Sequence, residues 1–403
     1  MLRKLLKSIA CLCQHLVKQL YQKGNRYIHM RPKMIKDYRE FCVLSPQHRA
    51  LVSYLVAPLS IQAKKRDRVI FSNFGIAQYI PRALNELDYR VDIINYDQLN
   101  WRLTSKYDLF IGHGGINYEH ISINLSESTT QIYFSTGIYW REFNYREAER
   151  ILNLTRRSGY LIQPDRSIRY SEEYANQVAD GIICLGNENA VKSYDKFSKV
   201  IGINNAVFPV SWNKKNDEDY KTGRKDFLFF SGGGNLHKGL DLLIEAFAGS
   251  PLHLHICQEV SQPFYKIYKN ELTNLPNIHV YGSIPMRSTL FHQLVQKCNW
   301  VISATCAEGQ PGAVLECMGY GLIPILTEAA NINLDDFGVL IPGPDIKEIR
   351  SIVSTCSEMS VSECKRRSEK VRKVIAKDYS PEIFLFNFKK AVQEIVKAKS
   401  CNS

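Results

Sequence analysis

Two glutamates, a lysine and a run of glycines are the residues of this 403-residue chain whose types and spacing point to chemistry. Glu308 stands in the Gly/Pro-broken loop Thr305–Pro311, and Glu316 stands inside a short helix expected to begin near Pro311 or Gly312. Before the loop, Trp300–Ala304 reads as a buried strand. Proline is tolerated at a first helical position, and a helix start presents unpaired N–H groups which, with the helix dipole, favour an anion such as a phosphate. The helix is small and apolar (Gly312, Ala313, Val314, Leu315, Cys317, Met318), so Glu316 is expected to be buried, which is costly for a carboxylate without partners. A ligand with hydroxyls on both sides of a diphosphate satisfies both acids. The competing reading is that Glu316 pairs locally and Glu308 is solvated.

A second motif lies upstream. The apolar strand Phe227–Phe230 runs into Ser231-Gly232-Gly233-Gly234, then Asn235-Leu236-His237-Lys238-Gly239, then a helix from Leu240 to Phe247. Glycines between a strand and a helix let the backbone approach a diphosphate closely. Lys238 sets a cation at a helix start, where the dipole disfavours one unless an anion is present. No Gly-Lys-Ser/Thr closes the turn, so it is not a P-loop. Together the two motifs point to a nucleotide sugar, which has a ribose, a diphosphate and a hexose in a row.

The elements that must position these residues alternate. Val69–Ser72, Arg90–Ile94, Tyr107–Gly112, Gln131–Phe134 and Gly181–Leu185 read as strands ending in Gly-rich loops. A tight turn at Asn73-Phe74-Gly75, where Gly75 lets a backbone come close, precedes a helix from Ala77 to Leu87 with Pro81 near its first turn. After the glycine turn come strands at Leu252–Cys257, Ile278–Tyr281, Leu322–Leu326 and Gly338–Ile341, and a helix near Leu290–Gln296. This alternation argues an α/β fold with parallel sheets and ligands at the strand C-terminal ends. His253, His255 and His279 alternate on strands and read as face residues rather than metal ligands. The insertion Tyr139–Arg169 reads as a solvated, ion-paired surface helix over about Asn144–Arg157. Arg166 and Arg169, outside that helix and beside a proline, are its candidate phosphate or acceptor contacts. Residues 212–226 read as a charged linker, and their Asp217-Glu218-Asp219, though it spells D-x-D, lacks the strand-flanked turn of a metal site. Ser380-Pro381 starts a last helix.

Composition sets the bounds. No apolar run approaches a bilayer-spanning length. The 11 cysteines are scattered with no C-x-x-C pair, which argues a reducing, cytosolic compartment with free thiols. Of the net charge of +12, residues 1–40 carry +8 (ten basic, two acidic) and residues 365–403 carry +7 (eleven basic, four acidic), leaving −3 for the body. A slightly acidic body excludes a nucleic-acid groove running through it. Leu2, Leu5, Leu6, Ile9, Leu12, Leu16, Val17 and Leu20, with Arg3, Lys4, Lys7 and Lys18 between them, describe a basic amphipathic helix. It either packs on the body or lies on an anionic membrane surface.

The pattern strand–GGG-x3-KG–helix, the E-x7-E from Glu308 to Glu316 and the run Gly321-Leu322-Ile323-Pro324-Ile325-Leu326 resemble the donor-binding domain of glycosyltransferase family 4. The resemblance is close from Phe227 to about Pro342, loose over Arg68–Val210, and does not reach residues 1–50. It implies the GT-B fold, two facing Rossmann-like domains with the last helix crossing back to the first. The chain then divides into a basic segment (1–50), a first, acceptor-side domain (51–211), a linker (212–226), a donor domain (227–378) and a crossover helix and tail (379–403). The implied activity is retaining transfer of a hexose from a nucleotide diphosphate sugar to a glycan or lipid-linked acceptor, with no cofactor and no essential metal. Glu308 would hold donor-sugar hydroxyls, the backbone from Gly309 through Gln310, Pro311 and Gly312 to Ala313 the sugar and phosphates, Val314 the phosphate, and Glu316 the ribose. Lys238 would neutralise the departing diphosphate beside Gly233 and Gly234, and Gly75 would let the first domain close on it. Two positions depart from the family. Where it places an arginine about six residues before the lysine, this chain has Gly232. Its usual first-domain histidine is absent after the matching strand, which makes His113, after the preceding one, the candidate. With both basic ends on one domain, the expectation is a cytoplasmic enzyme, peripheral on the inner face of the cell membrane, making a surface polysaccharide or glycolipid. A non-catalytic nucleotide-sugar-binding scaffold and a sugar-nucleotide epimerase of the same fold are the alternatives.

Overall fold

The computed structural model describes residues 34–39, 46–60, 72–98, 102–103, 105–197, 199–208 and 214–402. The amphipathic helix expected within residues 1–33 and most of the strand expected at Val69–Ser72 lie outside them.

Among the described residues the first sheet has seven strands: β1 (Ile35–Tyr38), β2 (His48–Tyr54), β3 (Tyr89–Asn95), β4 (Leu109–Gly112), β5 (Thr130–Ser135), β6 (Gly181–Leu185) and β7 (Val200–Ile203). Their order is β1-β3-β2-β4-β5-β6-β7, and β1 alone is antiparallel to its neighbour. The sequence reading missed the central strand β2, which straddles the expected domain start at residue 51. Ala50–Tyr54 are all buried, and a strand covered on both faces reads as an unbroken apolar run that periodicity does not separate from helix.

Helix α1 (Ser72–Glu86) corrects a second expectation. It takes in Asn73-Phe74-Gly75, expected as a tight turn, and places Pro81 in its interior rather than its first turn. A Cβ on Gly75 would lie 1.9 Å from the Phe208 ring. The glycine is therefore required by packing at the junction between the domains.

Helix α2 (Trp140–Ser158) corrects a third. It is not a solvated surface helix. Ile151 and Leu154 are buried in the core of the second domain with Phe229, Leu236 and Leu243. Arg150 Nη2 donates to the Ala304 carbonyl at 2.9 Å, and Arg157 pairs with both Asp241 and Glu245. The basic and acidic residues that suggested a solvated helix are distributed between two faces, one of which grips the other domain.

The expected linker also holds structure. Asn216 and Asp219 form a capping box on α3 (Asp217–Gly223), whose first-turn acids suit the helix dipole, and Asp226 already opens the next strand. The second sheet is all parallel: β8 (Asp226–Phe230), β9 (His253–Cys257), β10 (Ile278–Val280), β11 (Trp300–Ser303), β12 (Ile323–Thr327) and β13 (Val339–Ile341), ordered β10-β9-β8-β11-β12-β13. His255 lies between Asp226 (2.7 Å) and the Tyr281 hydroxyl (3.0 Å), while His253 and His279 bond to one another. Helices α4 (Leu240–Phe247) and α5 (Gly312–Gly319) follow β8 and β11. The final helix α6 (Pro381–Asn402) crosses back and buries Phe384, Phe388, Val392 and Ile395 in the first-domain core. Two of its lysines are spent there, Lys389 on Glu86 (2.6 Å) and Lys399 on Asp180 (2.9 Å). Among the described residues no helix is long and apolar enough to cross a membrane.

The docking of α2 is open to a direct test. Leu154→Ala should destabilise the second-domain unfolding transition by about 2–5 kcal/mol, as core truncations do. A solvated helix would lose less than about 0.5 kcal/mol.

Candidate functional site

In the second sheet the chain winds outward from β8 in one direction and from β11 in the other. Their shared C-terminal edge is thus the switch point where ligands bind in such sheets. The Ser231–Gly239 turn and the Ala304–Pro311 loop meet there. The Cys306 N–H donates to the His237 carbonyl at 2.9 Å, and Thr305 Oγ1 reaches the same carbonyl and Glu308 Oε1, each at 3.3 Å. This lacing brings Lys238 and Glu308 together as an ion pair, each residue only 8% exposed. Burial, then the nearby Arg166 guanidinium, pushes the Lys238 ammonium down to about 7.

Sequence reasoning passed over His237. It is fully buried, stacked on Phe143 at 4.7 Å, and its Nε2 lies 2.6 Å from the Ala307 carbonyl. Burial holds the imidazole well below its usual range, so it is neutral and Nε2–H is the donor. Nδ1 then faces Cys306 Sγ at 3.6 Å and Glu147 Oε1 at 3.7 Å.

Glu147, on α2, also builds the first-domain side of the site. It is 1% exposed and accepts the N–H groups of Arg166 (2.8 Å) and Asp165 (3.2 Å) and the Ser167 hydroxyl (2.6 Å). So held, Arg166 lies across the glycine turn. Gly234 is left-handed (φ 81°), and a Cβ on it would stand 2.4 Å from Arg166 Cγ. The Arg166 side chain forms no ion pair among the described residues. The neighbouring Asp165 is pushed up to about 6 by burial and by Glu147, and it faces the backbone N–H groups of Asn235 and Leu236.

The N–H groups of Gly312 and Ala313, at the start of α5, have no backbone acceptor among the described residues, as at any open helix start. The Val314 N–H donates to the Pro311 carbonyl at 3.0 Å. The Gln310 side chain accepts the Asn205 N–H (2.7 Å) and donates to Asn204 Oδ1 (2.9 Å) and the Asn331 carbonyl (3.0 Å), so it ties the domain junction. Gly309 abuts the ends of β5 and β6, where a Cβ would meet the Thr136 carbonyl at 2.4 Å and that of Leu185 at 2.7 Å. Gly233 has open space around it.

Glu316 lies on α5, 1% exposed, with its Oε2 3.3 Å from Arg287 Nη2 and its Oε1 without a hydrogen-bond partner among the described residues. Burial outweighs Arg287 and pushes the carboxyl up to about 7. Arg287, after β10, gave no signal in the sequence. His113 follows β4 on the C-terminal edge of the first sheet, between the edges of Tyr54 and Tyr96. Burial keeps it neutral, so Nδ1–H donates to the Phe134 carbonyl at 2.8 Å and Nε2 is left as an acceptor.

Residues 212–374 match the family described as glycosyl transferases group 1. No curated protein matches the chain by sequence. Solved structures that it resembles include TarM from S. aureus, in a complex containing UDP (16% identity, 81% of this chain and 59% of TarM, TM-score 0.53). Another is HepE from Anabaena with UDP-glucose (16% identity, 86% and 99%, TM-score 0.55). A third is sucrose-phosphate synthase from Thermosynechococcus elongatus (11% identity, 87% and 99%, TM-score 0.59). The chain spans only 54–59% of the length of the TarM structures. The fold is GT-B, and the match to the group 1 glycosyl transferases covers its second domain.

The raised Glu316 carboxyl ties stability to pH. Its folded value, about 7, lies above the ordinary 4.5, so the native state binds the proton more tightly and loses stability as pH rises from about 4.5 to 7. Glu316→Gln, which resembles the protonated acid, should match the wild type in denaturation at pH 4.5. At pH 8 it should exceed the wild type by on the order of 1–3 kcal/mol.

Proposed function

We propose, taking a group 1 glycosyl transferase domain on a GT-B frame as the premise, that this chain transfers a hexosyl group from a nucleoside diphosphate sugar to a glycan or lipid-linked acceptor with retention. The observation that carries the reading is the meeting of Lys238 and Glu308 at the β8/β11 switch point, with the unpartnered Glu316 Oε1 one helical turn into α5. The diphosphate takes the free N–H groups of Gly312 and Ala313 and the Lys238 ammonium. Glu308, released from Lys238, accepts from the sugar hydroxyls. UDP and UDP-glucose in the HepE and TarM structures make UDP-sugars the first donors to try.

In the transfer, the bond from the anomeric carbon to the diphosphate oxygen breaks through an oxocarbenium-like state. The acceptor oxygen bonds to that carbon from the same side, and its proton passes to the departing phosphate. Charge builds on the leaving oxygen, so cations fixed beside it lower the barrier. Lys238 is one of them. Arg166, laid over Gly234 and without an acidic partner, is the second, brought from the first domain to a turn that has Gly232 in place of an arginine. With both cations on the chain, the reading calls for no cofactor and no essential metal. The position of Arg166 favours this reading over a non-catalytic nucleotide-sugar-binding scaffold. The +8 charge of residues 1–40 supports peripheral attachment to an anionic membrane and a lipid-linked acceptor.

Release of nucleoside diphosphate from UDP-, GDP- and ADP-sugars is the assay. Lys238→Ala and Arg166→Ala should each lower turnover by about a hundredfold or more while the fold is kept. Gly232 is not left-handed and has open space around it. Gly232→Arg placed in the Arg166→Ala chain should therefore restore at least about tenfold of the loss. Full turnover in both single variants would overturn the roles.

A further inference from the structure

Helix α2 spends most of its cations on acidic partners. Arg141 pairs with Glu173, Arg146 with Glu142, and Arg150 and Arg157 with Asp241. Arg166 and Arg169, in the loop that follows, form no ion pair among the described residues. They line one crevice of about 170 Å³ with Pro164, Asp165 and Ser167. The acid in that crevice, Asp165, faces the backbone N–H groups of Asn235 and Leu236.

The backbone that carries these two arginines is fixed from one face of α2. Glu147 takes the N–H groups of Arg166 and Asp165 and the Ser167 hydroxyl. Asn144, three residues earlier and so on the same face, accepts the Ile168 N–H at 2.8 Å and donates to the Ile168 carbonyl at 2.9 Å. Ordering a loop costs about 1–2 kcal/mol per residue, and an arginine that only meets solvent does not call for it. Both ends of the stretch are placed as well. Arg166 lies over Gly234 on the donor side. The Ser171 carbonyl lies against Gly115, where a Cβ would stand 2.1 Å from it, and Gly115 is two residues after His113 at the C-terminal edge of the first sheet. An extended chain spans at most about 3.3–3.6 Å per residue, so the Arg169 backbone stands within about 11 Å of Arg166 and about 7 Å of Ser171.

In the proposed same-side transfer the accepting oxygen stands beside the departing one. The rest of the acceptor then runs from that point along the first domain, over residues 166–171. Arg166 is taken by the diphosphate, which leaves Arg169 facing the acceptor. A guanidinium fork matches an oxyanion through two parallel N–H bonds. We propose that the acceptor of this chain is anionic, and that Arg169 binds a phosphoryl or carboxylate group carried close to the accepting hydroxyl. The inference rests on the transfer reading above and adds the chemical class of the acceptor to it.

The test fills the donor site with saturating UDP, or with GDP or ADP if one of those is the nucleotide that binds. Ligand-detected NMR at fixed ionic strength then gives the affinities of methyl phosphate, glucose 6-phosphate, glucuronate and glucose for the wild type and Arg169→Gln, with thermal melts to show that the variant is folded. At least one of the anions should bind the wild type about tenfold or more tightly than glucose, the phosphates marking a phosphoryl group and glucuronate a carboxylate. Arg169→Gln should erase that preference and leave the nucleotide affinity unchanged. A wild type that binds no anion better than glucose, or a preference that survives in Arg169→Gln, would overturn the inference and leave the donor reading standing. Weaker nucleotide binding in Arg169→Gln would overturn it too, since the cation would then belong to the donor. If UDP, GDP and ADP all fail to bind, the donor reading falls and this inference falls with it.

Discussion

Buried charge is the constraint on which the rest of this structure depends. Moving an ion out of water costs several kcal/mol even after relaxation, so each buried ion needs a partner of fixed geometry. Around the β8/β11 switch point the chain buries Lys238, Glu308, Glu316, Asp241 and Glu147. Their partners come from distant segments. Arg150 and Arg157 of α2 face Asp241, Arg287 faces Glu316, and Glu147 takes the backbone of the Arg166 loop. Lys238 and Glu308 have each other until an anion arrives. The helix α2, which belongs to the first domain by chain order, is thereby fixed to the second.

This has a consequence for motion. In a two-domain protein the cleft opens where few contacts cross. Here Ile151 and Leu154 share the second-domain core, Gln310 bonds to Asn204 and Asn205, and Gly309 presses on the ends of β5 and β6. Helix α2 spans both cores, with Tyr139 and Phe143 packed against Ile182 and Tyr194 of the first domain and Ile151 and Leu154 in the second. Opening the cleft would therefore have to break one end of it.

The donor half of the site was legible because its signals are local. A glycine turn between strand and helix, a lysine after it, and two glutamates flanking a helix start each carry their meaning within a dozen or so residues. What escaped depended on the rest of the chain. Strand β2 has no alternation because it is covered on both faces. Gly75 was read as a turn glycine, although its constraint is the Phe208 ring more than a hundred residues away in sequence. The charges of α2 suggested solvent, since the sequence does not say that Arg150 and Arg157 face Asp241 and Glu245. The bonds of the Gln310 side chain to Asn204 and Asn205 had no signal in the sequence. Arg287 and His237 had no neighbours in the sequence that would single them out.

The most direct test of the account is the proton balance of nucleoside diphosphate binding, by calorimetry at pH 8 in buffers of different ionisation enthalpy. Burial pushes the Lys238 ammonium down to about 7 in the free chain, so as pH rises to 8 its ion pair with Glu308 gives way to a neutral amine hydrogen-bonded to the carboxylate. A diphosphate beside the amine favours its charged form. Net proton uptake is therefore expected, and Lys238→Met should abolish it. Binding without proton uptake, or uptake that survives in Lys238→Met, would contradict the claim that Lys238 is the counter-ion of the leaving group.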